Sequence, residues 1–117
     1  MPLLLGYDIG SSSVKACILE AETGVVIASA TSPNEELPIT SPQNGWAEQD
    51  PSMWWEHVVK ATGILKKKGT FQVSDIKAIG ISYQMHGLVL VDENKEVLRP
   101  SIIWCDSRAI EMGKKAE

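Results

Sequence analysis

The sequence predicts one α/β domain, and three observations predict it. Three strand-like segments with short glycine-containing links open the chain. One long amphipathic helix follows a proline-rich excursion, and a fourth buried-strand pattern comes soon after that helix.

Leu3 to Asp8 is a short, almost continuous apolar run, as expected of a strand covered on both faces. In Val14 to Leu19, Val14, Ala16 and Ile18 point one way and Lys15, Cys17 and Leu19 the other. Val25 to Ala30 is the third segment and is rich in β-branched residues. The links contain Gly10 and Gly24, so consecutive antiparallel hairpins follow. Thr31 to Glu48 carries Pro33, Pro38, Pro42 and Gly45 with no helical or strand period, and reads as an irregular excursion.

Asp50 is predicted to cap a helix whose first position is Pro51, where a missing amide proton costs nothing. Trp54, Val58, Ala61 and Leu65 recur at helical spacing on one face. Lys66, Lys67 and Lys68 complement the dipole at its end, and Gly69 stops it. Ile76 to Tyr83 is the next strand. Leu88 to Val91 and Glu96 to Leu98 flank an Asp92-Glu93-Asn94-Lys95 turn and predict a further hairpin. Ile102 to Trp104 reads as a short strand, and Asp106 or Ser107 as the cap of a last helix. The order β-β-β-α-β followed by a β-rich stretch suggests an α/β fold of the ribonuclease-H-like (actin-like ATPase) kind, as an incomplete amino-terminal domain.

Composition narrows the function classes. A chain of 117 residues buries roughly two-thirds of the surface it exposes when unfolded. With 44% hydrophobic and 22% charged residues it is a globular rather than a disordered composition. Eleven basic against 15 acidic residues give a net charge of -4, which argues against nucleic acid as partner. Cys17 and Cys105 have no CxxC spacing, so a reducing cytoplasm is the expected compartment. Met1 to Leu5 lacks a basic flank and runs into Asp8, unlike a signal peptide or membrane span, so no membrane partner is expected.

Two segments carry chemistry. In Gly6-Tyr7-Asp8-Ile9-Gly10-Ser11-Ser12-Ser13-Val14-Lys15 an acid at a strand end precedes a glycine turn with three hydroxyls and then a cation. Gly10 lets the backbone approach a phosphate, and the amides and hydroxyls of Ser11, Ser12 and Ser13 can donate to it. Lys15 supplies a point charge, and Asp8 can hold a magnesium ion through its waters. The same residues also suit a plain hairpin with a polar turn. The sequence has no GxxxxGK[ST] loop, so a P-loop enzyme is not supported.

The second segment begins where the Ile76 strand delivers Gln84-Met85-His86-Gly87 at its carboxyl end, the usual ligand edge of an open α/β sheet. Trp104, Asp106 and Arg108 then fall within five positions. A sugar site wants an apolar wall for C–H faces and a few fixed donors and acceptors for hydroxyls. His86 both donates and accepts, Asp106 accepts, and Trp104 can form the wall. Taken singly, each also suits a plain role: a turn histidine, a helix cap, a core tryptophan, a surface ion pair for Arg108.

The ordered combination resembles a known family. Asp-x-Gly-x-x-x-x-Lys from Asp8 to Lys15 looks like the phosphate-binding hairpin of the actin, hexokinase and sugar kinase superfamily. Ala78-Ile79-Gly80-Ile81-Ser82, Gln84-Met85-His86-Gly87, Leu98-Arg99-Pro100 and Trp104-Cys105-Asp106-Ser107-Arg108 are similar to xylulokinase-like members of the FGGY carbohydrate kinase family. Gly45-Trp46-Ala47-Glu48-Gln49-Asp50-Pro51 resembles that family's entry into its first long helix. The resemblance runs over essentially the whole chain.

The resemblance implies ATP and Mg2+ as cofactors. It places Asp8 at the metal, and Gly10, Ser11, Ser12, Ser13 and Lys15 at the ATP phosphates. Gln84, Met85, His86, Trp104, Asp106 and Arg108 fall on the sugar side. His57 matches no such position and is expected to be structural or exposed. Residues 1–117 are then the amino-terminal part of the kinase's sugar-binding N-domain, without the aspartate base or the C-terminal adenosine domain. The expected reaction is phosphorylation of D-xylulose, with gluconate, glycerol or ribulose as alternatives. Met85-His86-Gly87 argues against glycerol, whose kinases usually carry an Arg-Glu pair there. A non-catalytic sugar-binding module and a ribonuclease-H-like nuclease are the other classes; only Asp8 sits where a nuclease needs clustered carboxylates. Uncovered sheet faces in so short a chain favour association into a homodimer.

Overall fold

A computed structural model describes residues 1–117. Strands β1 (Leu3–Ile9), β2 (Val14–Glu20) and β3 (Val26–Ser32) form the predicted antiparallel meander. Helix α1 (Pro51–Lys68) follows the excursion, and strand β5 (Ile76–Tyr83) returns parallel to β1. The sheet order is therefore β3-β2-β1-β5, with β1 inside. Between the excursion and α1 lies a two-residue strand β4 (Glu48–Gln49), paired antiparallel with β6 (Ser101–Ile102). Helix α2 (Ile110–Ala116) ends the chain.

Alternation along the strands decides which residues meet α1. Leu3 and Leu5 of β1, Val14, Ala16 and Ile18 of β2, and Ala28 and Ala30 of β3 are buried with Ala61 and Leu65 of α1. Small alanines on β3 and α1 let helix and sheet approach closely. Asp50 accepts from the Ser52 amide at 2.9 Å, and Gly69 closes the helix in the left-handed conformation, its amide donating to the Lys66 carbonyl. Three side-chain bonds fasten the helix to the sheet, one of them from the Lys68 ammonium to the Ser29 carbonyl. The Tyr7 hydroxyl meets the Thr62 hydroxyl at 2.5 Å, and Ser32 meets Nδ1 of His57 at 2.8 Å. His57 is structural.

The later elements differ from expectation, each for a physical reason. The predicted hairpin over 88–98 is reduced to a bridge between Val91 and Val97 with bonds from the Leu98 amide to the Leu90 carbonyl and from the Asp92 amide to the Glu96 carbonyl. Its turn is held by the Asp92 carboxylate, which accepts from the Asn94 and Glu96 amides, with Lys95 in a left-handed conformation (φ 66°). A side chain that captures local amides takes the place of a ladder. The strand expected over Ile102–Trp104 lies at Ser101–Ile102, because the Ile103 amide turns to the Ala47 carbonyl. Helix α2 starts from Ala109 with no side-chain cap, since Asp106 is engaged elsewhere and Ser107 donates to Gly45.

Candidate active site

The turn between β1 and β2 is built to leave its amides outward. The Gly10 amide donates to the Ser13 carbonyl at 3.0 Å, and a Cβ on Gly10 would lie 3.2 Å from that oxygen. The Ser11 carbonyl accepts from Nε2 of Gln49 at 2.6 Å, and the Ser12 carbonyl from the Leu37 amide at 2.7 Å. Because a trans peptide sets its N–H opposite its C=O, holding these two carbonyls inside directs the Ser12 and Ser13 amides away from their anchors. The amides of Ser11, Ser12 and Ser13 donate to no backbone carbonyl. Such unpaired turn amides are an anion cradle.

Asp8 and Lys15 face each other across the β1–β2 ladder, on the sheet face opposite α1. Both are exposed and neither forms an ion pair. They line a shallow cleft of about 450 Å³ with Gly6, Cys17 and Thr31.

The residues that the resemblance assigns to the sugar stand at the same end of the sheet. β5 carries the chain alongside β1, and the Gln84 amide donates to the Ile9 carbonyl at 3.0 Å. Gln84 and His86 line a second cleft of about 490 Å³, walled by Trp54, Trp55 and Tyr83. Both polar atoms of the Gln84 carboxamide are buried without a partner, a costly state that a hydrogen-bonding ligand or neighbour would relieve. His86 has φ 61°, unusual for a side chain with a Cβ. Met85 is exposed beside it. Across the turn, the Trp104 indole donates to Oγ of Ser11 at 3.2 Å.

Asp106 and Arg108 are brought together, and their bonds are made mainly within the protein. Oδ2 of Asp106 accepts from the Ala47 amide at 2.7 Å and from Nε and Nη2 of Arg108, while Oδ1 accepts from the Arg108 amide. The Arg108 guanidinium lies 3.7 Å from the Trp46 ring centroid and donates to Glu48 at 2.8 Å. Arg99 donates to the same Glu48 oxygen. The Arg108 hydrogen bond holds the Asp106 carboxyl well below the usual carboxylate range, aided by the Ala47 amide and opposed by burial. Asp106 in turn raises Arg108. Ser107 closes the clamp by donating its amide and hydroxyl to the Gly45 carbonyl. Gly45, at φ 82°, leaves no room for a side chain, since a Cβ would stand 2.6 Å from the Ser107 hydroxyl.

Sequence reasoning missed Glu48, Gln49, Trp46 and Trp54 as parts of this arrangement. All but Trp54 lie in an aperiodic stretch or a two-residue strand, and their partners are mostly distant in sequence. The faint signal was local: acid, amide and acid in a row before a helix.

Residues 3–117 match the model of the N-terminal domain of the FGGY family of carbohydrate kinases. The chain belongs to that family. Among FGGY relatives, the xylulose kinase of Escherichia coli is 42% identical over 106 residues, covering 91% of this chain and 21% of that protein. A xyloylose kinase of Brucella ovis superposes with a TM-score of 0.89 at 36% identity, over 97% of this chain and 23% of its own. A gluconate kinase of Lactobacillus acidophilus gives 0.84 at 28% identity, over 98% and 22%. The chain therefore spans about a fifth of the length of the curated FGGY relatives it matches. The α/β fold of the ribonuclease-H-like, actin-like kind, of which only the amino-terminal part is present, is the fold of these sugar kinases. No helix is long and apolar enough to cross a membrane.

Proposed function

We propose that the full-length protein is a cytoplasmic ATP-dependent kinase that converts D-xylulose to D-xylulose 5-phosphate. The observation that carries this reading is the junction at Ser11. One residue offers an unpaired amide to an anion and receives the indole of the sugar-side Trp104.

In this reading Gly10, Ser11, Ser12, Ser13 and Lys15 hold the ATP phosphates. Asp8 fits a magnesium ion that arrives with the nucleotide, because Mg2+ keeps several waters and needs only one or two carboxylates beside the phosphates. No cluster of three ligating side chains is present to cage a metal by itself. When bound, the ion neutralises charge on the transferring group. Gln84, Met85 and His86 read the sugar hydroxyls, Trp104 walls the ring or chain, and Asp106 with Arg108 supports the segment bearing Trp104. Asp106 is no candidate for the base that deprotonates the sugar, since Arg108 weakens its affinity for a proton and both its oxygens are occupied. The base is expected elsewhere in the full-length protein, and the two cysteines, both free, suit a reducing compartment.

The relatives' names favour D-xylulose. Gluconate is the second reading, favoured by the fold match to a gluconate kinase. The test is ADP release by the full-length protein with D-xylulose, D-ribulose, D-gluconate and glycerol. D-Xylulose should give the highest kcat/KM. A higher value for D-gluconate selects the second reading. Sugar binding without ADP release leaves a binding module, and no sugar effect at all removes the kinase reading.

Phosphoryl transfer rests on positioning and charge neutralisation in a closed cleft, so the 117-residue chain alone should show no turnover. It should also self-associate, because Ile79 and Ile81 are each 59% exposed on the uncovered β5. A monomer at all concentrations in sedimentation would contradict that.

A further inference from the structure

We infer that Gln49 is a positioning residue that ties the phosphate turn to the sugar-side wall, so that a ligand at one is felt at the other. The inference rests on the kinase reading above and adds to it a residue and a coupling.

Gln49 is 1% exposed, yet its carboxamide is well paired. Nε2 donates to the Ser11 carbonyl at 2.6 Å and to the Pro38 carbonyl at 3.3 Å, and Oε1 accepts from the Trp54 indole at 3.0 Å. Three separate pieces of chain are thereby joined through one amide: the β1–β2 turn, the excursion and the first turn of α1. Trp104 extends the series by donating to the hydroxyl of the same Ser11. Hydrogen bonds thus join Trp54 to Gln49 to Ser11 and Ser11 to Trp104, the last two meeting at different atoms of Ser11, its carbonyl and its hydroxyl.

The direction of these bonds matters. Anchoring the Ser11 carbonyl turns the Ser12 amide outward, where a phosphate oxygen can meet it. The Ser11 hydroxyl accepts from the indole and keeps its own proton for donation. A phosphate that takes this proton polarises the hydroxyl and strengthens its hold on Trp104, as bonds in series reinforce one another. The wall is then fixed before the sugar arrives. By reciprocity, sugar against Trp104 favours the phosphate-ready turn by the same factor. Gln49 contacts neither ligand and acts only by holding Ser11.

The experiment measures D-xylulose affinity of the full-length protein by calorimetry, with and without saturating magnesium and a non-hydrolysable ATP analogue. Wild type should bind the sugar at least about fivefold more tightly with the analogue, the lower end of typical couplings. Gln49→Met keeps the volume and removes the amide; the ratio should fall towards one while affinity without nucleotide changes far less. Ser11→Ala should lower the ratio equally, and the double variant no further, because both cut one line. A wild-type ratio in Gln49→Met overturns the proposal, as does a ratio of one in wild type. Should Gln49→Met fail to fold, Ser11→Ala decides, and an unchanged ratio there overturns it. Failure of wild type to bind either ligand would sink the kinase reading as well, which separates the two.

Discussion

The two sheets of this molecule are held by opposite means. Under the four-stranded sheet the buried residues are apolar from Leu3 to Leu65, with Ser32 of β3 the one polar exception. Around β4 and β6 the buried set includes Glu48, Gln49 and Ser101 beside Ala47 and Ile103, and cohesion comes from ion pairs and captured amides. Apolar packing tolerates small shifts of its partners, whereas hydrogen bonds fix direction. The first region supplies a platform and the second sets angles upon it. The candidate site lies along their seam, where Ser11 of the platform is held by Gln49 and touched by Trp104.

Substitutions can sharpen or break this contrast. Leu65→Ala opens a void in the apolar region and should cost about 2–5 kcal/mol in chemical denaturation. Glu48→Gln keeps the shape but leaves Arg99 and Arg108 without their carboxylate; it should cost about 1.5–3 kcal/mol. The contrast would weaken if the Glu48 variant were as stable as wild type. Asp50→Ala removes the cap of the helix shared by both regions and should cost about 1 kcal/mol, read by the same denaturation.

The smallest effect is a dependence on pH. Arg108 lowers the folded Asp106, so its contribution to stability is present above the ordinary aspartate value of about 3.9 and is lost as pH falls through the lowered folded value. The Tm gap between wild type and Asp106→Asn should therefore be constant across mildly acidic and neutral pH. It should close only in stronger acid. A gap that closes between neutrality and mild acid would show that Asp106 is not held by Arg108.

The same contrast explains what could be read from the sequence. β1, β2, β3 and α1 were legible because burial imposes a period, and Val14, Ala16 and Ile18 display it. β5 was legible as an apolar run, yet it is not the buried strand that run predicts, since every residue after Ile76 is exposed on the uncovered edge. The glycine turn was legible because few residue types serve there. The hairpin over 88–98, the cap of α2 and the roles of Glu48 and Gln49 were not, because tertiary hydrogen bonds decide them. Glu48 reaches Arg99 and Arg108, more than fifty positions away, and no local pattern announces that. Asp106 looked like a helix cap for the reason it makes a good clamp: a short carboxylate captures nearby amides in either setting.

The left-handed backbone at His86 carries a conformational cost that a glycine would not. A glycine there would relax the chain by about 1–2 kcal/mol, so selection for heat resistance alone would tend to discard the imidazole. A thermostabilised variant obtained without a binding screen is therefore best sequenced at this codon first, and under the proposed function a loss of the imidazole there should weaken sugar binding as robustness rises.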